Sequence, residues 1–310
     1  MIAVCASCGI AEVDEIKLKD CDGCDLVRYC SEECREDHNP VHEKACKKRA
    51  AELRDELLFK QPESSCYGDC PICCLPLPLD MQKSSMCNSN SCNKVICNGC
   101  NIANVIRAME MRLDHSCAFC RKHATTAKEN DKRRMKRVEA NDPIALCHEG
   151  IDQRRKGNNT RAFEYWTKAA ELGDVESHFR LAAMDHDGVG VEKDTGKGTY
   201  HLEEAAICGH PTARYLLGRY EWSIGNAERA VKHWIIAATQ GDDGSIEALM
   251  KAYKGGLVSK EDLASALRAH KAAVDATKSP QRDVAEEYFK DTNSLRTVAS
   301  RISRHKGSTS

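Results

Sequence analysis

Small and apolar residues recur beyond residue 142 at intervals that suit stacked helices. Three segments end in the pattern Ala-Ala-x-x-Gly, at residues 169–173, 205–209 and 237–241. They are separated by 36 and 32 residues, and the landmarks Leu181, Leu217 and Leu249 step by the same two intervals. A period of roughly 20 to 50 residues is typical of a solenoid, in which supersecondary units stack on one another. We therefore predict an α-solenoid over residues 142–280.

Each repeat is predicted to hold two helices. In the third repeat, a helix over residues 211–220 is followed by a turn at Gly225 and Asn226 and by a second helix over residues 228–240. Gly241 ends that helix, at a position where glycine adopts the left-handed backbone at least cost. The paired alanines allow neighbouring helices to approach closely.

The tryptophans and the last repeat complete the solenoid. We expect its wider gaps to be filled by Trp166, Trp222 and Trp234. The fourth repeat has Ala276 where a glycine ends the others, which is typical of a terminal cap. Pro280 ends the repeats, and residues 281–310 are predicted to form a short helix over 282–290 and a disordered tail.

The loop of the second repeat, residues 187–194, reads Asp-Gly-Val-Gly-Val-Glu-Lys-Asp. Together with the Ala-Ala-x-x-Gly endings, this loop resembles the Sel-one-like repeat, a relative of the tetratricopeptide repeat. The resemblance implies an adaptor whose concave face holds a partner protein.

Two polar helical connections are predicted ahead of the repeats. The first, residues 47–65, contains most of an amphipathic helix over 43–60, which Pro62 ends. The second, residues 124–141, is a basic helical hinge with the run Lys-Arg-Arg-Met-Lys-Arg at 132–137. Such a run indicates a nuclear address, a phosphate-binding strip, or simply the solvated face of a connecting helix.

The cysteines indicate a different kind of fold for the first 120 residues. The chain has 19 cysteines in 310 residues, seven of them within 5–46 and ten within 66–120. A disulfide framework is typical of small secreted domains, but the first ten residues lack the basic and apolar regions of a signal peptide. Reduced, metal-bound thiolates fit better, and we expect a cytoplasmic or nuclear protein.

Composition bounds the function further. The length allows about two to three domains, and five phenylalanines and three tryptophans are too few for one large aromatic core. No apolar run approaches the roughly 18 residues that a membrane span needs, so no membrane segment is expected. A formal net charge of −1 argues against a protein that coats nucleic acid.

The N-terminal region, residues 1–46, has the ligand spacing of two zinc sites and is called the first finger. Ligand pairs separated by two or three residues can chelate one ion, and zinc takes four nitrogen or sulfur ligands. The interleaved assignment places Cys5, Cys8, Cys30 and Cys34 on one ion and Cys21, Cys24, His42 and Cys46 on the other. Each ion would then tie together segments that lie apart in the chain.

This ligand order, with Tyr29-Cys30-Ser31 ahead of the last pair, resembles the MYND zinc finger over residues 5–46. The resemblance implies a small protein-binding module whose groove accepts short proline-containing peptides. His38 stands where that family usually carries a tryptophan, and we interpret it as a solvated helix residue rather than as a spare ligand.

Residues 66–123, called the second finger, hold another cysteine cluster. Its pairs are Cys70 with Cys73, Cys97 with Cys100 and Cys117 with Cys120, and Cys87 and Cys92 lie on a loop between the first two. The layout resembles a RING finger. The resemblance implies one zinc ion on Cys70, Cys73, Cys97 and Cys100, and a second on Cys92, Cys117, Cys120 and one further ligand.

The eighth ligand of the second finger stays open. Where many RING fingers have a histidine, this chain has Lys94, whose ammonium group has no lone pair for a metal. Cys87, His115 or a water molecule could complete the site, and we favour Cys87 because a thiolate is the softer ligand. The alternative is a degenerate site without metal. Cys66 and Cys74 are interpreted as spare thiols.

The RING resemblance also implies a docking face for a ubiquitin-conjugating enzyme. In ligases of that family, a hydrophobic residue lies inside the first cysteine pair and a cation follows the last cysteine. Ile72 and Arg121 hold those positions here, whereas Ala118 replaces a common proline. Ligase activity and a RING-like fold used only for binding are both kept, because fold does not fix function.

The sequence therefore predicts a mainly α protein, with two small cross-brace zinc modules followed by an α-solenoid of helix-turn-helix repeats. About three to four structural zinc ions are expected, since protein ligands close each candidate site. No nucleophile beside a base, no phosphate loop and no open catalytic zinc is evident. We expect an adaptor that joins protein partners rather than an enzyme. The alternatives are a RING-type ubiquitin ligase whose repeats select the substrate, and a nuclear transcriptional regulator.

Overall fold

The computed structural model describes residues 3–80, 84–86, 92, 94–114, 116–122 and 126–290. The chain forms two compact units, Met1–Gln61 and Pro62–Ser310. The helices are α1 Glu32–Leu58, α2 Asn98–Glu110, α3 Ala127–Glu139, α4 Pro143–Arg155, α5 Asn159–Glu171, α6 Val175–Asp187, α7 Thr195–Ile207, α8 Pro211–Ser223, α9 Ala227–Thr239, α10 Asp243–Lys254, α11 Lys260–Ala276 and α12 Pro280–Lys290. The strands are β1 Lys19–Asp20, β2 Arg28–Tyr29, β3 Ser84–Met86 and β4 Val95–Cys97.

Two short strands and one long helix build the first unit. Strands β1 and β2 pair antiparallel, with Lys19 opposite Tyr29. Helix α1 begins after Ser31, whose side-chain oxygen accepts a hydrogen bond from the Cys34 amide at 3.3 Å. A serine N-cap satisfies an amide that has no partner within the helix, which fixes where α1 starts.

Helix α1 is longer than the sequence predicts. It begins at Glu32 rather than at residue 43, because the cap and the acidic first turn favour an earlier start. Pro40 lies inside the helix without ending it. The predicted 47–65 connection is therefore helical as far as Leu58, in continuity with the helix of the first finger.

A hairpin and one helix form the framework of the second finger. Strands β3 and β4 pair antiparallel, and α2 follows β4 directly. The buried core of this finger consists of Cys70, Leu77, Ile96, Cys97, Cys100 and Cys117. Most of these residues are predicted metal ligands, so little apolar surface is available to hold the finger together without a metal.

The solenoid is a series of antiparallel helix pairs, α4 with α5, α6 with α7, α8 with α9, and α10 with α11. The first helix of each pair has a side-chain N-cap, supplied in turn by Asp142, Asp174, His210 and Asp242. An aspartate cap at these positions accepts the amide of the residue three places on. His210 does the same through Nδ1, which accepts from the Ala213 amide at 3.2 Å.

The third repeat follows the predicted arrangement. Its helices are α8 and α9, and Gly225 between them has a φ of +87°. Gly241 follows α9 with a φ of +94°, a left-handed backbone that glycine adopts without strain. The structure thus bears out the mainly helical fold class that the repeat spacing predicts.

The tryptophan prediction is wrong in one place. Trp166 and Trp234 are buried, but Trp222 is 44% exposed and lies against Trp234 with its ring centroid 5.5 Å away. Helical spacing alone does not distinguish such an exposed position from the core.

The repeats end in a helix that returns to the second finger. Ser279 accepts the Arg282 amide at 3.3 Å, so α12 starts at Pro280, two residues before the predicted short helix. Helix α12 packs against α2 of the second finger. The predicted tail beyond residue 290 lies outside the described residues.

A second contact joins the second finger to the repeats through the irregular segment 62–67. The Cys66 amide donates to the Gly209 carbonyl at 3.0 Å, and the Gln240 side-chain amide donates to the carbonyls of Ser64 and Gly209. The segment therefore lies on the turns that follow α7 and α9. Its sequence, rich in proline and serine, predicts a linker but not this contact.

Candidate metal centres

The first group of ligands, called site 1, consists of Cys5, Cys8, Cys30 and Cys34, whose sulfur atoms all lie within 4.8 Å of one another. The Sγ atoms of Cys8 and Cys30 are 3.5 Å apart, and those of Cys30 and Cys34 are 3.6 Å apart. Strand β2 delivers Cys30, and the first turn of α1 delivers Cys34.

The second group, called site 2, consists of Cys21, Cys24, His42 and Cys46, again within 4.8 Å of one another. The Sγ atoms of Cys21 and Cys46 are 3.7 Å apart, and Cys24 Sγ lies 3.3 Å from His42 Nε2. His42 and Cys46 are one turn apart on α1, so one face of this helix presents both.

These distances fit zinc. A tetrahedron of Zn–S bonds of about 2.3 Å has sulfur–sulfur edges of about 3.8 Å, close to the separations in both sites. The grouping is the interleaved one, since site 1 joins residues 5–8 to 30–34 across the first pair of site 2. The clusters of the first finger thus fit zinc binding.

Two aromatic side chains support His42. The His38 ring stacks on the His42 ring with centroids 5.6 Å apart, and the Tyr29 hydroxyl lies 3.0 Å from His38 Nδ1. Tyr29 is buried and His38 is half-buried. His38 is therefore not simply a solvated helix residue, as the sequence predicts, because its ring packs on that of a predicted ligand.

Protons are shared among the thiols when no metal is bound. Burial raises the pKa of Cys5, but hydrogen bonds from the backbone amides of Cys8 and Cys30 outweigh it and lower the pKa to about 6. The pKa of Cys30 is raised to about 12 because its thiol donates hydrogen bonds to Cys8 and Cys34. Zinc must displace such protons, so its binding weakens in acid.

The second finger contains site 3, which consists of Cys70, Cys73, Cys97 and Cys100 within 4.8 Å of one another. The Sγ atoms of Cys73 and Cys97 are 3.8 Å apart. Cys97 is also the N-cap of α2, and its sulfur accepts the Cys100 amide at 3.5 Å. The end of β4 and the start of α2 therefore position Cys97 and Cys100. The geometry of site 3 again fits zinc.

The remaining group, site 4, brings together three predicted ligands, Cys92, Cys117 and Cys120. The Sγ atoms of Cys92 and Cys117 are 3.9 Å apart. Cys87 and His115, the candidates for the fourth ligand, lie outside the described residues. Site 4 thus brings together three ligands that fit zinc binding, and its completion stays a prediction.

The two residues predicted to contact a conjugating enzyme are both accessible. Ile72 is 41% exposed. Arg121 has a φ of +60° and donates from Nη1 to the Asn104 side-chain oxygen at 3.2 Å. The neighbouring Phe119 is 40% exposed. Of the spare thiols, Cys74 is exposed and Cys66 is half-buried in the 62–67 segment.

The arginines of the basic hinge form ion pairs. Arg134 of α3 is only 13% exposed and pairs with Glu149 and Asp152 of α4. Arg137 pairs with Asp142 at 2.6 Å, and Arg133 pairs with Glu129. The pairs of Arg134 and Arg137 attach α3 to the first repeat, whereas Lys132 and Lys136 of the same run are exposed.

A histidine pair within the repeats escapes sequence reasoning. The Nδ1 atoms of His178 and His201 lie 3.0 Å apart between α6 and α7. Burial, and then the neighbouring His178, lower the pKa of His201 to about 4. Within the part of the chain that the structure describes, the pair is not part of a cluster of three or more metal-ligating groups.

Two families of known domains match this chain. The MYND finger family matches residues 5–46, which contain sites 1 and 2. The Sel1 repeat family matches residues 145–174, 175–210 and 211–242, which correspond to the first three helix pairs. The chain carries a MYND finger and Sel1 repeats. Both resemblances predicted from the sequence are confirmed, whereas the likeness of the second finger to a RING finger rests on its cysteine clusters alone.

Curated relatives are similar in sequence to part of this chain. The chain is 36% identical to the chitin synthase regulator SKT5 of Saccharomyces cerevisiae over 67 residues, which are 22% of this chain and 10% of that protein. It is 30% identical to the protein SHC1 of the same species over 139 residues, or 40% of this chain and 27% of that one. The chain thus spans roughly a quarter or less of the length of these relatives.

Solved structures of repeat proteins are also similar to it. A Sel1 repeat protein from Oxalobacter formigenes has a TM-score of 0.37 and 27% identity, over 40% of this chain and 98% of that chain. The protective antigen c5321 of uropathogenic Escherichia coli, which has an SLR fold, has a TM-score of 0.42 and 18% identity, over 64% of this chain and 43% of that chain.

None of the helices among the described residues combines the length and the apolar character that a bilayer span requires.

Proposed function

We propose that this protein is an adaptor that uses structural zinc and binds other proteins through its MYND finger and its Sel1 repeats. The observation that carries the proposal is the closure of sites 1, 2 and 3, where four side chains converge on each candidate ion. A catalytic zinc keeps one position open for water or substrate, whereas a structural zinc has four protein ligands. Zinc bound here would supply folding free energy.

A hollow beside site 2 is the candidate peptide-binding surface of the MYND finger. It has a volume of about 300 Å³, and its lining includes Asp22, Tyr29, Arg35, Glu36 and Asn39. Both charge signs and one aromatic ring are therefore available to a short peptide. Zinc at site 2 would hold this hollow in shape, because ligands Cys21, His42 and Cys46 also line it.

The name of the relative SKT5 also supports the adaptor proposal. SKT5 is a regulator of an enzyme rather than an enzyme by name, and the shared part is short. We infer that this chain, too, acts on other proteins by binding them. About three to four zinc ions per chain are expected from the ligand groups, and metal analysis of purified protein measures that number.

Affinity capture with the full chain tests the adaptor proposal. Wild-type protein is compared with Cys24→Ser, which removes a ligand of site 2, and with Ile72→Ala, which alters the second finger only. We expect Cys24→Ser to lose one set of partners and to keep another set that depends on the repeats. Recovery of the same partners by Cys24→Ser would refute a role of the MYND finger in binding, and no enrichment with wild type would refute the adaptor.

A second candidate function is ubiquitin ligation by the second finger. The exposure of Ile72 and Phe119 favours it, because two apolar side chains on a small metal-bound module suit a partner surface. An autoubiquitination assay with a broad panel of conjugating enzymes tests this function. Activity that Ile72→Ala abolishes is the expected result for a ligase, and a blank assay with every conjugating enzyme removes the candidate.

A further inference from the structure

Arg282 of α12 is buried against the ligand loop of site 3. Its side chain reaches the segment that follows Cys73, although the two residues are far apart in sequence. Nη1 donates to the Pro76 carbonyl at 2.7 Å and to the Thr277 carbonyl at 2.6 Å. Nη2 donates to the Leu75 carbonyl at 3.2 Å and to Cys73 Sγ at 3.5 Å. One guanidinium group therefore contacts a predicted zinc ligand and the two carbonyls beyond it.

The loop that Arg282 contacts is the one that shapes half of site 3. The Leu75 carbonyl also accepts the Cys70 amide at 2.9 Å, and the Cys74 amide donates to the Cys70 carbonyl at 2.8 Å. These bonds close the turn that holds Cys70 and Cys73 together. Arg282 adds a donor to the same Leu75 carbonyl, so α12 and the ligand turn share one hydrogen-bond network.

Charge explains why a buried arginine is tolerated here. Four thiolates around one Zn²⁺ leave a net negative charge on the site. A buried cation needs a partner of opposite charge and acceptors for its N–H groups, and the guanidinium group finds both at site 3.

Apolar packing contributes little to holding α12 in place. The buried residues of this helix are Arg282 and Ala285, and Phe289 is 52% exposed. A cavity of about 580 Å³ lies beside the junction. A helix of eleven residues is marginal by itself in water, so its stability depends on its contacts with the second finger, including those of Arg282 in its first turn.

The other side of the junction allows close approach at one glycine. A Cβ at Gly99 of α2 would lie 2.9 Å from the backbone nitrogen of Arg282 and 2.9 Å from the carbonyl carbon of Gln281. Any other residue at position 99 would therefore push α12 away. Gly99 lies between Cys97 and Cys100, so the helix rests directly on the second ligand pair of site 3.

We propose that Arg282 is a positioning residue of zinc site 3, and that zinc at this site controls the docking of α12 on the second finger. With zinc bound, the ligand turn and the thiolates hold Arg282, and α12 stays folded against α2. Without zinc, the turn opens, Arg282 loses its acceptors in residues 73–76, and α12 is released from the second finger. The inference rests on zinc occupancy of site 3, which is part of the proposed function.

Zinc-loaded full-length protein tests this coupling by two measurements. The first is hydrogen–deuterium exchange of the α12 backbone amides, before and after addition of a zinc chelator. The second is the rate of zinc transfer to a chromogenic chelator, in which the phase due to site 3 is the one that Cys73→Ser eliminates. If wild-type protein shows no such phase, zinc at site 3, and with it that part of the proposed function, is refuted.

The variants separate the roles of charge, shape and site. For Arg282→Ala we expect about 10-fold to 100-fold faster zinc release from site 3, which is the usual effect of removing a group that orients a metal ligand, and loss of α12 protection. Arg282→Lys keeps the charge but not the planar guanidinium group. Its rate of zinc release should lie between those of wild type and Arg282→Ala. Arg268→Ala removes an exposed arginine of α11 and should match wild type.

Gly99→Ala probes the junction without changing the arginine. We expect it to lose α12 protection, because the helix cannot approach α2. Chelation of wild-type protein should remove α12 protection at the same rate as it removes zinc from site 3. If zinc is bound at site 3 but α12 stays protected after chelation, or Arg282→Ala releases zinc at the wild-type rate, the coupling is refuted and the adaptor proposal is untouched.

Discussion

Trp234 lies directly over Gly218, so closely that a Cβ on residue 218 would be 2.4 Å from the indole nitrogen. The same relationship occurs two helix pairs earlier, where a Cβ on Gly150 would be 2.4 Å from the indole nitrogen of Trp166. In both repeats, a glycine on the first helix makes room for a tryptophan on the second. The glycine is therefore required by close packing and not by its backbone angles.

Gly218→Ala should destabilise the solenoid by about 1–3 kcal/mol, because an inserted methyl group in a tight core forces its neighbours to shift. The intervening repeat has Ala182 and Leu202 at the equivalent positions, both buried. The double variant Gly218→Ala with Trp234→Leu copies that pair and should recover part of the loss. Chemical denaturation followed by circular dichroism measures both changes.

Trp234→Leu alone is the control for this prediction, since it leaves a cavity above Gly218 and should also destabilise the fold. We expect the double variant to lose less free energy of unfolding than the two single variants lose in sum. If the two effects simply add, the glycine and the tryptophan do not depend on each other.

Tyr67 should anchor the 62–67 segment on the repeats. Its hydroxyl lies 3.4 Å from His210 Nε2, and the His210 ring stacks on Phe179 with centroids 4.5 Å apart. We expect Tyr67→Ala to increase amide exchange of residues 62–67 and their cleavage by proteases, because a half-buried aromatic ring that contacts His210 is lost. Tyr67→Phe keeps the ring and should change little; equal loosening in both variants would assign the anchoring to the hydroxyl instead.

The stability of the repeats should fall in acid because of buried histidines. Burial, and then the charges of Arg214 and Arg229, lower the pKa of His233 to about 3. The unfolded chain has a histidine pKa of about 6.5 and so binds more protons between these values. This contribution is fully present above pH 6.5 and is lost as the pH falls towards 3.

Denaturation at a series of pH values measures this dependence. One histidine of this kind contributes a slope of up to about 1.4 kcal/mol per pH unit between its two pKa values. His233→Gln removes the titrating group and should flatten the profile relative to wild type. Because both proteins lose zinc in acid alike, their difference isolates the histidine, and identical profiles would contradict the assignment.

Cys24→Ser should unfold the first finger and leave the repeats folded. Site 2 loses one of its four ligands, and the free energy of metal binding is also the folding free energy of such a finger. The repeats belong to the other compact unit. Zinc analysis should show the loss of at least one ion, and circular dichroism should keep most of the helical signal.

Cys74→Ser is the matched control for the metal prediction. Cys74 is an exposed cysteine with a φ of +55° and belongs to none of the ligand groups. Its substitution should leave the zinc content unchanged. A fall in zinc content would mean that Cys74 takes part in binding.

Local spacing made the helix pairs and the ligand groups predictable. Chelating pairs lie two or three residues apart, and the repeat period appears in alanines and glycines that pack against neighbours. The contacts of Arg282 with residues 73–76 and of Tyr67 with His210 join positions far apart in the chain. No spacing rule reports such contacts, so sequence reasoning misses both.

One sequence signal for the second contact did exist. Three of the helix pairs begin with an aspartate cap, whereas the third begins with His210. Since Nδ1 of His210 accepts the cap hydrogen bond, Nε2 carries the proton and faces Tyr67 and Glu176. His210 differs from the aspartate of the other repeats but still caps its helix. Such a substitution indicates that the side chain makes a further contact.

The alternating order of the ligands also limits how the molecule can change over evolutionary time. A fragment that ends at Cys34 holds a whole site 1 but only half of site 2, so neither half of the MYND finger can be inherited or exchanged without the other. The Sel1 repeats have no such constraint, because each helix pair is a complete unit of 32 or 36 residues. Recombination can lengthen or shorten the solenoid in these steps, while the finger must be gained or lost whole.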